Sequence, residues 1–283
     1  MNIVACCISM FFVFLNLCEA KSTQPILLMT VPKAGSHLMI KTLYFLTERE
    51  PLWHEKQIPT EYTSIDGRFL YTHLCVAPKL ESQYSRMNNL KKILLIRDLR
   101  DVVISMVYHV RKNPLWPGMT AQQREMFSKM AFSDQLLFMI NFEYDERVFE
   151  TNYRESLQVS LVRVAEQVFR YSKNPDILTI RYEDLVGPNG GGTLEAQMIQ
   201  MKKINNFLKL KTPEGVLYQI ASQLYGNELD PFGQKGFKNF RSTFRSGKIG
   251  QWKEVFTEEH KVAFKKKVGK ILIALGYEED DDW

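Results

Sequence analysis

Apolar residues occur in this chain in two patterns that alternate from the N-terminus to the C-terminus. Short continuous runs, typical of strands buried on both faces, cover residues 26–29, 69–71, 91–97 and 177–182. Longer segments with apolar residues at three- and four-residue spacing predict helices over 38–46, 101–110, 132–149, 153–172, 194–208 and 257–275. Strands separated by long helices form parallel sheets, so the pattern predicts an α/β protein with three αβα layers around a central parallel sheet.

Residues with distinctive chemistry follow three of the predicted strands. Lys33 comes shortly after the first strand, Arg97 ends the third and Tyr182 ends the fourth. In a parallel α/β sheet, ligands bind beyond the carboxyl ends of the strands. We therefore expect the ligand site of this protein at that edge of the sheet.

The segment TVPKAGSH, residues 30–37, joins the first strand to the first helix. Gly35 lets the backbone adopt a positive φ or approach a ligand closely, and Ser36 is expected to cap the helix. Backbone N–H groups and the helix dipole favour an anion here, and Lys33 adds a positive charge. The turn is P-loop-like and predicts a phosphate or sulfate site, although an ordinary turn with an unrelated lysine is the alternative.

Three further segments carry residues suited to an anion or to proton transfer. Arg97 and Ser105, two turns into the next helix, can clamp a phosphate, unless Arg97 only pairs with a nearby aspartate. His73 follows an apolar stretch and suits a general base because imidazole titrates near neutrality, with a structural role as the alternative. A second basic, glycine-bearing loop contains Arg245, Ser246 and Gly247.

The N-terminal segment differs from the rest of the chain. Residues 3–17 are almost wholly apolar and small residues follow, which predicts a signal peptide or a short N-terminal anchor over residues 1–20. The run is short for a membrane span and lacks a basic start, so a misassigned start is the alternative. We expect a secretory, exported or membrane-anchored protein, with a cytoplasmic location as the alternative.

The cysteine content and the net charge restrict the possible disulfides and partners of the protein. Three of the four cysteines lie in the N-terminal segment and only Cys75 remains, so no intramolecular disulfide is expected in the body of the protein. The net charge of +5 on 283 residues is a mild preference for anionic partners. It is not the strongly basic footprint of a nucleic-acid-binding protein, and we expect no nucleic-acid partner.

Taken in order, these segments resemble the sulfotransferase family that uses 3'-phosphoadenosine 5'-phosphosulfate (PAPS). TVPKAGSHL resembles the family's 5'-phosphosulfate loop, LIRDLRDVVISMVYH its 3'-phosphate motif, and YTHLCVAPKL the segment with the catalytic histidine. IRYEDLVG and FRSGKIGQWKEVFT resemble two later family segments. The resemblance predicts a sulfotransferase domain over residues 24–277.

The resemblance implies that a sulfonate group moves from PAPS to an acceptor hydroxyl (or amine) without a metal ion. His73 would be the general base, and Lys33 would stabilise the charge on the leaving phosphate oxygen. Arg97 and Ser105 would hold the 3'-phosphate, and Tyr182 would contact the adenosine side. The remaining cofactor contacts implied are Ala34, Gly35, Ser36, His37, Arg245, Ser246 and Gly247.

Several positions depart from the family pattern. His37 and Leu38 replace a polar residue and a tryptophan, which leaves the adenine contacts there open. Tyr71 stands two positions before the histidine, where the family has a lysine. Ser246 replaces the lysine of the family's R-K-G, which is expected to weaken the hold on the 3'-phosphate.

Partners are also implied by the resemblance. The family's dimer motif is not intact, because Glu258 and Val262 exchange its apolar and acidic positions, so that dimer is not expected. The acceptor would be a small molecule, lipid or glycan, and the loop 113–119 favours a hydrophobic one. A membrane would be contacted only through an uncleaved leader. The acidic end, residues 278–283, is expected to be a frayed, solvated tail.

Two other functions fit parts of the sequence. A magnesium-dependent P-loop kinase or NTPase would also use a strand–turn–helix loop, but its lysine follows the glycine and a metal-binding acid ends its second strand. Here Arg97 stands at that place, with Asp98 displaced by one residue. A non-catalytic binder of phosphorylated ligands would keep Lys33 and Arg97 without depending on His73.

Overall fold

The central sheet is parallel throughout. The computed structural model describes residues 24–53, 68–74, 87, 89–112, 119–143, 160–226 and 244–283. Within them the strands are β1 (Ile26–Thr30), β2 (Glu50–Trp53), β3 (Arg68–His73), β4 (Lys91–Ile96) and β5 (Ile177–Arg181). They form one sheet in the order β2-β3-β1-β4-β5, and each neighbouring pair is parallel. The predicted α/β fold with a parallel sheet is therefore confirmed.

Helices follow most of the strands. They are α1 (Ser36–Thr47), α2 (Leu99–Lys112), α3 (Ala121–Lys129), α4 (Phe132–Asn141), α5 (Leu161–Ser172), α6 (Tyr182–Leu185), α7 (Leu194–Phe207), α8 (Glu214–Gln223), α9 (Trp252–Val255) and α10 (Glu258–Ala274). The apolar pattern did not indicate β2, α3 or α8. Among the described residues, the structure contains no helix with both the length and the apolar composition that crossing a bilayer requires.

Each face of the sheet carries its own core. Leu27 and Met29 of β1 belong to a cluster formed with α2, α4, α5 and α10. Ile26 and Leu28 belong to a second cluster, which includes residues of α1, α7 and α8. Because successive side chains of a strand point to opposite faces, one apolar run feeds both clusters. This arrangement gives the three layers that the sequence predicts.

Two predicted helices are too long. The helix predicted over 132–149 ends at Asn141, and residues 144–149 lie outside the described residues. The helix predicted over 153–172 begins at Leu161, because the Ser160 hydroxyl accepts a hydrogen bond from the Arg163 N–H and caps the helix there. Residues 153–159, the leader 1–20, Cys75 and positions 113–118 of the loop also lie outside the described residues.

Residues 279–282 are exposed, as expected for a solvated tail, but Glu278 and Trp283 at the two ends of this segment pack against the body of the protein. The Trp283 ring packs edge-on against Trp252, with 5.5 Å between ring centroids, and also contacts Phe264. Glu278 forms an ion pair with the buried Arg100. The acidic composition of this segment does not indicate such packing. The Glu278 carboxylate and the Trp283 indole are both partners of the buried Arg100.

Candidate active site

A pocket opens at the carboxyl edge of the sheet, where β1, β3, β4 and β5 end. Its lining includes every predicted site residue except Ala34, namely Lys33, Gly35, Ser36, His37, His73, Arg97, Ser105, Tyr182, Arg245, Ser246 and Gly247. Five separate segments of the sequence therefore meet at one place. The parallel sheet explains this meeting, since the carboxyl ends of all its strands face the same side.

Ala34 differs from its predicted role in the cofactor site. Its side chain is fully buried in the core cluster beside α2, and it does not line the pocket. Its N–H donates to the Val31 carbonyl at 3.0 Å within the turn. Both the methyl group and the backbone donor of Ala34 are thus used to hold the loop.

The loop before α1 depends on two left-handed backbone positions. Gly35 has φ of +96° and Lys33 has φ of +67°, a value that non-glycine residues rarely adopt. A Cβ atom added at Gly35 would lie 2.2 Å from the Tyr182 ring. Gly35 is therefore required both for its conformation and because Tyr182 packs directly on the loop.

Ser36 does not cap α1, contrary to the sequence expectation. The cap position is Gly35, and Ser36 is already the first helical residue. The Ser36 hydroxyl instead lies 2.7 Å from the Thr30 hydroxyl, and the same Thr30 oxygen lies 3.0 Å from Nδ1 of His73. A chain of hydrogen bonds thus connects the anion loop after β1 with the histidine at the end of β3.

Lys33 projects into the pocket beside a second histidine. Its Nζ lies 3.3 Å from Nδ1 of His109, a residue of α2 that faces the loop. Burial, followed by the positive charges of Arg97 and Lys112, lowers the pKa of Lys33 to about 8. The amine is therefore still largely protonated at neutral pH, and an arriving anion would stabilise that state.

Three imidazoles in the pocket are held neutral. Burial, opposed by a backbone hydrogen bond to Thr30 and assisted by the charges of Lys33 and His37, lowers the pKa of His73 to about 3. Burial, together with the neighbouring lysines, lowers the pKa values of His37 and His109 to about 4 each. At neutral pH each ring is therefore uncharged and keeps a lone pair on one nitrogen.

Arg97 is held rigidly but retains capacity for a ligand. It is 5% exposed, its guanidinium lies 4.5 Å from the centre of the Tyr182 ring, and its Nη2 donates to the Lys248 carbonyl at 2.7 Å. Longer contacts of 3.4 Å reach the Lys33 carbonyl and the Asp101 carboxylate. Its Nε has no hydrogen-bond partner among the described residues, which leaves a buried donor at the pocket wall.

The loop containing Arg245, Ser246 and Gly247 is fixed by two tyrosines. The Tyr182 hydroxyl donates to the Gly247 carbonyl and the Tyr225 hydroxyl to the Ser246 carbonyl, both at 2.5 Å. The Arg245 guanidinium lies 4.2 Å from the centre of the Tyr108 ring. The loop is thereby drawn to the same side of the pocket as Arg97.

Among the lining residues that the sequence analysis missed are four with polar side chains, Lys41, His109, Tyr225 and Gln251. His109 follows Ser105 by one helical turn, and Lys41 follows His37 by one turn, so helical spacing from a predicted site residue indicates both. Lys41 is buried and its Nζ donates to the Gly226 carbonyl at 2.6 Å. Tyr225 and Gln251 also line the pocket, and their sequence context gave no signal.

The charged side chains among the described lining residues of the pocket are all positive. Lys33, Lys41, Arg97 and Arg245 line it, whereas none of the described lining residues is Asp or Glu. Two carboxylates lie nearby. That of Asp98 pairs with Arg100, and that of Asp101 accepts hydrogen bonds from the N–H groups of Gly250 and Trp252. A multiply charged anion fits this wall, because it can neutralise several of these cations, of which Lys41 and Arg97 are buried, and can bind the Arg97 Nε.

Comparison with known proteins agrees with this geometry. Residues 23–275 match the family model of the sulfotransferase domain. The chain is 27% identical over 174 residues to sulfotransferase 6B1 of Danio rerio, an alignment that covers 59% of the chain and about half, 47%, of that protein. A crystal structure of mouse sulfotransferase SULT7A1 complexed with PAP shares the fold, with a TM-score of 0.61, 17% identity, and coverage of 93% of this chain and 89% of that one. Because the family model spans most of the sequence, this chain belongs to the sulfotransferase family.

Proposed function

We propose that this protein transfers a sulfonate group from PAPS to a hydroxyl or amine of an acceptor. The observation that carries the proposal is the pocket wall, where buried cations stand beside a neutral imidazole without a carboxylate among the described lining residues. The bound donor supplies an activated sulfonate. The residues of the chain then bind and orient it and handle one proton.

Arg97 and the loop at residues 245–247 are suited to the 3'-phosphate. The Arg97 Nε is a buried donor without a hydrogen-bond partner among the described residues, and Arg245 and Ser246 line the same pocket. A nucleotide without a 3'-phosphate would leave the Arg97 Nε unsatisfied, which costs free energy in a desolvated site. We infer that this side of the pocket selects PAPS over ATP, and that Tyr182 contacts the adenosine.

Lys33 is suited to the leaving group. The loop at residues 33–37 presents the amino end of α1 together with the Lys33 ammonium. Both favour negative charge, and the ammonium would stabilise the charge that builds on the phosphate oxygen as the bond to sulfur breaks. Gly35, Ser36 and His37 line the same loop and would contact the phosphosulfate.

His73 is suited to accept the proton of the acceptor. Its Nδ1 is held by the Thr30 hydroxyl, so we assign proton transfer to Nε2. The positive charge of Lys33 contributes to the low pKa of His73. A bound anion would offset that charge and raise the pKa of His73, making the ring a stronger base when the donor is in place.

The acceptor, location and assembly stay predictions. We propose an acceptor hydroxyl on a small molecule, a lipid or a glycan, and entry into the secretory route or attachment to a membrane through residues 1–20. A cytoplasmic location is the alternative. The altered dimer motif at Glu258 and Val262 predicts that the family's dimer does not form.

Ligand-dependent melting tests the donor class. We expect 3'-phosphoadenosine 5'-phosphate (PAP) to raise the melting temperature without magnesium, and AMP and ADP to have much smaller effects. A ligand at a hundred times its Kd adds about 2.7 kcal/mol to the free energy of unfolding, which is readily measured. An equal shift with ADP, or a shift that requires magnesium, would favour a kinase or a simple phosphate binder.

Replacement of His73 separates catalysis from binding. We expect His73→Asn to lower the rate of sulfonate transfer from radiolabelled PAPS to a panel of hydroxyl acceptors by about 10²–10⁴-fold, the usual contribution of a general base. Binding of PAP is expected to change little, because His73 is assigned to the acceptor side. Full activity in this variant would contradict the assigned role.

A further inference from the structure

The last seven residues, 277–283, lie against the structure behind the pocket. Their main contact is Arg100, which is 1% exposed and is enclosed by two indoles. The Arg100 guanidinium lies 3.6 Å from the centre of the Trp252 ring and 4.4 Å from that of Trp283. The two indoles also pack edge-on against each other, with 5.5 Å between their centroids, so they cover adjacent sides of the same cation.

Carboxylates complete this arrangement. Arg100 pairs with Asp98 at 2.7 Å and with Glu278 of the terminal segment. The Tyr277 hydroxyl donates to Oε2 of Glu183 at 3.3 Å, and Oε1 of Glu183 accepts the Asp98 N–H at 2.8 Å. Residues 277–283 thus bind the segment that follows β4 at two points, once through Arg100 and once through Glu183.

The same segment holds the proposed 3'-phosphate side of the pocket. Asp101, next to Arg100, accepts hydrogen bonds from the Gly250 N–H at 2.8 Å and the Trp252 N–H at 3.0 Å. Arg97, three residues before Arg100, donates to the Lys248 carbonyl. Displacement of Trp252 or Arg100 would therefore move the loop at 245–250 relative to Arg97.

We propose that residues 277–283 act as a positioning element for the 3'-phosphate site, with Trp283 and Glu278 as its positioning residues. They do not line the pocket. They keep Arg100 and Trp252 stacked, so that Arg97 and the 245–250 loop meet at the separation that a phosphate requires. The proposal rests on the proposed function for the identity of the ligand, but not for the mechanical link.

Binding of matched nucleotides by the full-length protein tests the proposal. PAP and AMP differ only in the 3'-phosphate, so the ratio of their dissociation constants reports on that side of the pocket. We expect Trp283→Ala to weaken PAP at least tenfold and to leave AMP unchanged, with Trp283→Phe retaining most of the PAP affinity. An unchanged ratio, or an equal loss for both nucleotides, would overturn the proposal.

Two control variants separate positioning from loss of stability. Glu279→Gln changes an exposed acid of the same segment and is expected to leave the ratio unchanged. Ile204→Ala removes buried volume from the core on the other face of the sheet, so it destabilises the protein without touching the terminal segment. A loss of PAP preference in Ile204→Ala equal to that in Trp283→Ala would contradict a specific positioning role.

Hydrogen exchange measured by mass spectrometry gives an answer that does not depend on the nucleotide. Trp283→Ala is expected to speed exchange of the peptide containing the Gly250 and Trp252 amides and to leave β1 and α1 unchanged. If the unmodified protein shows no preference for PAP, the proposed function fails, and the exchange of this peptide still decides the mechanical link. Unchanged exchange there would refute the positioning role on its own.

Discussion

Arg97 and Arg100 lie on the same turn after β4 and are both almost fully buried, yet their surroundings differ. Arg100 is enclosed by two indoles and two carboxylates. Arg97 contacts one aromatic ring, two carbonyls and a distant carboxylate, and its Nε lacks a hydrogen-bond partner among the described residues. Arg100 thus pairs with two carboxylates, although its Nη1 meets Glu278 as an ion pair rather than as a hydrogen bond, whereas Arg97 has only the Asp101 carboxylate at 3.4 Å.

The difference shows how a structural cation is distinguished from a binding one. A buried charge is costly unless it is paired, so incomplete pairing at Arg97 persists only because the fold holds it there. Arg100 and its partners provide that fold. A ligand anion can complete the partners of Arg97, whereas Arg100 has no accessible surface left to offer.

The largest expected effect is on the stability that Arg100 provides. Arg100→Met would leave Asp98 buried without its cation, and we expect the free energy of unfolding to fall by about 3–5 kcal/mol, the usual cost of breaking a buried pair. In a protein of this size each kcal/mol lowers the melting temperature by about 2–4 °C. Thermal unfolding monitored by circular dichroism measures the change.

Two further variants serve as controls for the Arg100 test. Asp98→Asn combined with Arg100→Met is expected to be less destabilising than the sum of the single changes, because the double variant no longer buries the Asp98 carboxylate without its cation. Arg163→Met, at an exposed position of α5, is expected to change stability by less than about 0.5 kcal/mol. Equal melting temperatures for Arg100→Met and Arg163→Met would contradict the structural role.

The next effect is on ligand binding through Arg97. Arg97→Met is expected to weaken PAP binding by about 1.5–3 kcal/mol, the usual value of hydrogen bonds to a charged group, which is a factor of about 10–150. The loss of stability should be smaller than for Arg100→Met, because Asp101 keeps two backbone donors. Calorimetric titration with PAP and AMP measures it, and equal losses for both would contradict a 3'-phosphate role.

The last effect is a pH dependence of stability with opposite signs in the two regions. The pocket imidazoles have pKa values lowered from 6.5 to about 3 or 4, so their contribution to stability is present above pH 6.5 and is lost on acidification. Burial raises the pKa of Glu183, beside Asp98, from 4.5 to about 7. The stability that the Glu183 carboxyl contributes is therefore fully present below pH 4.5 and is lost as the pH rises to about 7.

Replacement of Glu183 by glutamine separates these two contributions. Between pH 7 and pH 5 the acid-stabilised carboxyl partly offsets the loss from the imidazoles. We expect Glu183→Gln to make the melting temperature fall more steeply with acidification than in the unmodified protein. A shallower fall would mean that the carboxylate at Glu183 is not the group that is protonated in this range.

The sequence predicted those parts of the fold that depend on local periodicity. Apolar runs such as 26–29 and 91–97 fixed the positions of β1 and β4, and the parallel sheet followed from the helices between strands. Four of the five segments that meet at the pocket lie at or just beyond the end of a strand, whereas the loop at residues 245–247 was recognised from its basic and glycine residues. The short edge strand β2 was missed, since four residues that include Pro51 carry no periodic signal.

The remaining features depend on contacts between residues distant in sequence. Ser36 reads as a helix cap, but it is the first helical residue and its hydroxyl forms a hydrogen bond with the Thr30 hydroxyl instead. Ala34 reads as part of a phosphate loop, but its methyl group is buried in the core beside α2. Trp283 ends an acidic run, and only the three-dimensional position of Arg100 reveals its role.

The Thr30 hydroxyl has a consequence for which nitrogen of His73 carries hydrogen. A hydroxyl has one proton, so Thr30 can donate to Ser36 or to Nδ1 of His73, but not to both. An anion that takes the Ser36 hydrogen leaves the Ser36 oxygen to accept from Thr30. Thr30 must then accept from Nδ1–H, and in that tautomer Nε2 holds the lone pair that a general base requires. If the loop binds the anion and His73 is the base, as we propose, a single proton links occupation of the loop to preparation of the base.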